Sequence, residues 1–110
     1  MANFYKNAFY DPSTTAAVTV YTCPSNANAI IQNIQVTNES GSKILKVSIN
    51  DDSVSTIYQI AYASITGPTI CNLASGPIVL EEGDILKIAS STVTGISAIV
   101  SILEMNREDR

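Results

Sequence analysis

Ten carboxylates and no histidine set the chemical range of this chain. Without an imidazole, the commonest general base and metal ligand at neutral pH is missing. Ser–His–Asp and Cys–His machinery therefore cannot be assembled within one chain. Glycoside hydrolysis needs only two carboxylates, which directs attention to Asp51 and Asp52 in "NDDS" and to Glu81, Glu82 and Asp84 in "LEEGD". Both groups fall in turn-forming stretches and read as solvated turn residues. A catalytic pair needs burial to separate its two pKa values, and nothing in the sequence signals it. Oxygen ligands at loop tips also suit calcium, but the spaced Asp/Asn and Gly pattern of a calcium loop is absent. The expectation is no catalytic residue, no metal and no cofactor.

The remaining candidates are weaker. Cys23 and Cys71 are the only cysteines, which fits neither a dense disulfide framework nor a zinc site with paired ligands. They read as buried thiols behaving as small hydrophobes, with a Cys23–Cys71 bridge as the alternative. The five glycines are scattered and form no phosphate-cradling loop. Tyr58 and Tyr62 offer rings that could stack on a sugar, although such residues more often pack in a core with the hydroxyl at its edge. "NES" at 38–40 matches a glycosylation acceptor, but no basic segment followed by an apolar one marks a secretory signal ahead of it.

The elements that must carry these residues are strands. Period-two alternation recurs along the chain and helical spacing does not. "AIIQNIQVTN" sets Ile30, Ile34 and Val36 against Gln35 and Thr37. "KILKVSIN" sets Leu45, Val47 and Ile49 against Lys46 and Ser48, and "IYQIAYA" puts Tyr58, Ile60 and Tyr62 on one side. "ILKIAS" places Leu86 and Ile88 opposite Lys87. "GISAIVSIL" sets Ile96, Ala98, Val100 and Ile102 against Ser97 and Ser101, with Ile99 and Leu103 also on that second side, as if the strand were covered on both faces. "TTAAVTVYT" contributes Val18 and Val20. "LEEGD" predicts a tight hairpin with Gly83 at positive φ. About seven or eight short strands at regular spacing predict an all-β fold, an antiparallel β-sandwich. The pattern leaves jelly-roll and immunoglobulin-like strand orders both open. The predicted division is an arm over 1–12, the sandwich over 13–104 and a charged tail over 105–110.

Composition narrows the partners. A chain of 110 residues is one domain. Its formal charge of −4 provides no basic footprint for nucleic acid, and its longest apolar runs are too short to span a bilayer as helices. Charged residues make up 15% and apolar residues 45%, where a usual domain carries about 25% charged. Such a surface is either a neutral Ser/Thr-rich one or one that buries apolar area against neighbours.

The stretch "YKNAFYDPSTTAAVTVYTCPSNANAIIQNIQVTNES", then "GPIVLEEGDILKI" and a closing "ISAIVSILEM", resembles small virion proteins of tailed bacteriophages, of the type found in marine and cyanobacterial phages. The similarity runs from Tyr5 to Glu104. Cys23 departs from it, standing where an aliphatic residue is usual. The resemblance implies a β-sandwich particle component assembled in the host cytoplasm. Such a component serves as a capsid decoration (cement) subunit, or in the tail or collar; the competing reading is a fibre-associated module whose loops, such as "NDDS" and "ASITGP", bind a host glycan. The resemblance further implies partners in other copies of itself and in the major capsid or tail proteins, and no catalytic residues.

Four of the seven aromatic residues, Phe4, Tyr5, Phe9 and Tyr10, fall in the first ten positions. They fit no strand pattern. They fold back over an edge of their own sandwich, blunting it, or dock on a neighbouring subunit, where Tyr and Phe provide rigid contact area, or stay disordered.

Overall fold

Strand alternation governs the fold: the computed structural model describes residues 2–106 and finds nine strands and no helix in them. They are β1 (Ala2–Tyr10), β2 (Val18–Thr22), β3 (Ala27–Asn38), β4 (Ser42–Asp51), β5 (Thr56–Thr66), β6 (Thr69–Asn72), β7 (Ile78–Leu80), β8 (Ile85–Ser90) and β9 (Ile96–Asn106). One sheet runs β1-β9-β3-β6, with β7 also on β3; the other runs β2-β8-β4-β5.

Every pairing is antiparallel, and the pairs nest. β4 pairs with β5, β3 with β6 and β7, β2 with β8, and β1 with β9. Working outward from the middle of the chain, successive pairs alternate between the two sheets. A single long hairpin rolled in this way is a jelly roll, which decides the order that the pattern left open. Tertiary pairing also makes one strand out of two, since β6 and β7 lie end to end along β3.

Between the sheets lie Ile31, Ile34, Val36, Leu45, Val47, Leu86, Ile88, Val100 and Ile102, all fully buried. Each contributes roughly 1.5–3 kcal/mol by leaving water.

Several expectations are corrected. Residues 2–10 are not an arm outside the body; they form β1, paired with β9 along its whole length. The predicted tail loses Met105 and Asn106 to β9, and residues 107–110 lie outside the described residues. "LEEGD" does turn at Gly83 with φ +85°, yet it joins no hairpin: β7 pairs with β3 and β8 pairs with β2 and β4. The turn carries the chain from one sheet to the other. A bulge between Ile31 and Asn33 shifts the inward set of β3, so Ile31 and Ile34 are buried and Ile30 lies on the opposite side. A second bulge, at Ile60, separates Tyr58 and Tyr62: Tyr62 stands opposite Lys46 and Tyr58 opposite Ile49. Both tyrosines are exposed and neither belongs to the core.

Candidate docking surface

The sheet β1-β9-β3-β6 has two faces. Its inner face closes the core. On its outer face the register aligns Tyr5, Leu103, Ile30 and Val79 in one row, and Phe9, Ile99 and Gln35 in another. A third row sets Ile70 beside Thr37 and Ser97. Between these rows stand Asn7, Ser101 and Asn33. None of the outward positions of these strands carries a charge. Four large side chains on it are open to water: Tyr5 at 80%, Phe9 at 70%, Ile70 at 64% and Val79 at 62%. A groove of about 560 Å³ runs along one end, lined by Phe9, Gln35, Thr37, Ser97 and Ile99 together with two acidic residues from the flanking loops, Asp11 and Glu39. The outer side of the other sheet is different, carrying Lys46 and Lys87.

β1 is positioned by two devices. Tyr10 is buried opposite Ala98, and burial raises the pKa of its hydroxyl. Nearer the start of the strand, Lys6 Nζ lies 3.1 Å from Glu104 Oε2. That carboxylate is buried, and its other oxygen accepts a 2.6 Å hydrogen bond from the Tyr21 hydroxyl. Burial first, then the hydrogen bond and the negative charge of Glu104, push the Tyr21 hydroxyl far above its ordinary pKa.

The four aromatic residues singled out in the sequence therefore part company. Tyr5 and Phe9 stand on the outer face, and Tyr10 is a core residue with no surface to offer. Phe4, half-exposed, is in register with Glu104 on the inner side. Sequence reasoning missed Ile70 and Val79, which sit on strands of four and three residues, too short for alternation to show. Ile99 and Leu103 were legible as a second apolar side of β9.

The acidic turns come together without forming a reactive pair. Asp84 is buried, not solvated, and its two oxygens accept backbone N–H bonds from Asp52 and Glu81 at 3.1 and 3.0 Å. Glu82 accepts from the Asn26 amide. Among the described residues no three acidic, Cys or His side chains converge on a metal position. Cys23 is buried, with its thiol directed at the Ala27 and Leu80 carbonyls, and no disulfide joins it to Cys71.

No protein-family model and no curated protein matches the sequence. Solved structures do match in shape. A chain of the Bacillus endospore appendages, a family of disulfide-linked pili, superposes with a TM-score of 0.57 at 8% identity, covering 94% of this chain and 84% of that one. A chain from the structure of infectious bursal disease virus, Gx strain, gives 0.51 at 11% identity and covers 97% of this chain. The present chain spans only 30% of that viral one. At these identities the likeness is one of fold.

Proposed function

We propose that this protein is a non-enzymatic structural subunit of a bacteriophage virion, a capsid decoration or cement protein that clamps neighbouring subunits through the outer face of the β1-β9-β3-β6 sheet. One observation carries this reading: a whole sheet face without a charge, with Tyr5, Phe9, Ile70 and Val79 exposed on it. Exposed apolar patches rimmed by polar residues mark interaction sites, and depletion of charge with enrichment in aromatics is the signature of an interface centre. The sequence resemblance to tailed-phage virion proteins supports it. So does a fold shared with chains of a pilus and of a virus particle, both repeated assemblies. Its partners on this reading are other copies of itself and the major capsid or tail protein, and weak contacts hold because many copies act on one particle.

The second reading places the protein in a tail, collar or fibre, where the exposed ring of Tyr62, with Lys46 Nζ 5.7 Å from its centroid, offers a stacking surface for a glycan. Copies per particle separate the two: many for a decorated shell, a handful for an appendage.

The test is incorporation of a Tyr5→Ser/Phe9→Ser variant into particles. Both side chains are exposed, so the variant keeps its melting temperature and is expected to be missing from purified virions. Wild-type incorporation of the variant overturns the role of this face.

A further inference from the structure

A jelly roll has four sheet edges, and each is a row of unpaired backbone donors and acceptors that invites another strand. Three of the four are blunted here. β2 has five residues and a bulge between Thr19 and Tyr21. The β6/β7 edge is broken into pieces of four and three residues, with Pro68 before the first and Pro77 before the second. β1 carries Lys6. β5 has none of these protections beyond a bulge. It has eleven residues, "TIYQIAYASIT", without a charge or a proline, and it pairs on one side only, with β4. Ile57, Tyr58, Ile60 and Tyr62 along it are all exposed.

We infer that β5 is the pairing edge for a second copy of this chain, two β5 strands joining antiparallel about a two-fold axis so that two four-stranded sheets become one continuous sheet. The side chains favour a copy of itself as occupant. A two-fold interface brings each residue against its counterpart's neighbour and back again, so the strand must complement its own reverse. The bulge at Ile60 makes Ile57 and Tyr62 outward and Tyr58 and Ala61 inward. With the axis between Gln59 and Ile60, Tyr62 meets Ile57 of the second copy and Tyr58 meets its Ala61. Outward residues face outward ones, inward face inward, and the two kinks coincide.

Charge supports the same arrangement. The acidic end of the β4–β5 hairpin, Asp51 and Asp52, lies at one end of β5, and Lys46, whose ammonium sits over the Tyr62 ring, lies toward the other. Antiparallel pairing keeps the acidic ends of the two copies at opposite ends of the joined strands. Parallel pairing brings the two acidic ends to the same end of the joined sheet. A strand without charge also desolvates no ion when covered.

This inference uses a different strand from the proposed docking face and stands or falls separately. The experiment is sedimentation equilibrium of the full chain across micromolar concentrations, with two double variants at exposed positions whose folding is checked by melting. Wild type is expected to dimerise. Tyr62→Lys/Ile57→Lys places like charges opposite each other twice in the interface and is expected to weaken the dimer by roughly tenfold or more. Tyr62→Glu/Ile57→Lys places opposite charges there and is expected to keep it. The Tyr5→Ser/Phe9→Ser variant is expected to dimerise as wild type does. A wild type that stays monomeric throughout overturns the inference. So do two double variants with equal affinity, or a dimer lost with Tyr5 and Phe9.

Discussion

Glu104 on β9 accepts a 2.6 Å hydrogen bond from the Tyr21 hydroxyl on β2, and this contact crosses the core from one sheet to the other. With Lys6 at 3.1 Å from its second oxygen, the carboxylate ties three strands, β1, β2 and β9, at one end of the roll. Glu104→Ala leaves the part-buried Tyr21 hydroxyl without this acceptor. The expected cost is about 1–3 kcal/mol in urea denaturation. Glu104→Gln keeps a neutral acceptor for Tyr21 while losing the ion pair and the charge on that hydrogen bond, and it is expected to cost less than Glu104→Ala.

The same contact makes stability depend on alkaline pH. The folded-state pKa of Tyr21 is raised above its ordinary value of 10.0, by burial first and by Glu104 second. A raised pKa means the neutral hydroxyl is favoured in the folded state. Its contribution is complete below pH 10.0 and is lost above it, as the unfolded chain ionises and the folded one does not. Unfolding free energy is expected to fall as pH rises beyond that value, and to fall less steeply in Tyr21→Phe. Equal slopes for the two proteins would contradict this assignment.

The crossing turn gives a local test. Gly83 has φ +85°, and a Cβ there would meet Asp52 Oδ2 at 2.7 Å. Gly83→Ala is expected to cost at least about 1–2 kcal/mol from backbone conformation alone. Gly76 has nothing within 4 Å of an added Cβ, and Gly76→Ala is expected to stay within about 0.5 kcal/mol of wild type. Thermal melts of the pair check both.

The bulge in β3 can be read from two neighbouring isoleucines. Ile31→Ala empties a core position and is expected to cost about 2–5 kcal/mol. Ile30→Ala truncates a partly covered side chain on the outer face and is expected to cost clearly less. Reversed costs would mean that the register does not shift.

Deleting residues 2–10 removes Tyr10 from the core, Lys6 from Glu104 and the strand that covers β9. The truncated chain is expected to unfold at markedly lower denaturant than wild type and to aggregate through the bared edge of β9. Wild-type stability would restore the reading of this segment as an arm outside the body.

The sequence by itself determined the class of fold. Alternation in "KILKVSIN", "ILKIAS" and "ISAIVSIL" has the period of strands, and it correctly set Leu45, Val47, Leu86, Ile88, Val100 and Ile102 inward. β1 was hidden because it has no polar side to contrast with its apolar one. Tyr5 and Phe9 point out, Phe4 and Tyr10 do not, and aromatic neighbours erase a period of two. The faces of β3 and β5 were misread for another reason: a bulge costs one residue of phase, and nothing local announces it.

What only the tertiary structure decided is which strands meet. "LEEGD" has the residues of a hairpin, but the strands on either side go to different sheets because each finds a longer partner, β3 for one and β2 with β4 for the other. Asp84 looked like any acid in a turn until the fold surrounded it with two backbone amides. The uncharged outer face is likewise a sum over β1, β9, β3, β6 and β7, strands far apart in sequence whose outward residues form one surface only once register is fixed. Local propensity chooses strand over helix residue by residue; pairing is a long-range competition, and its outcome is written in no single stretch of the chain.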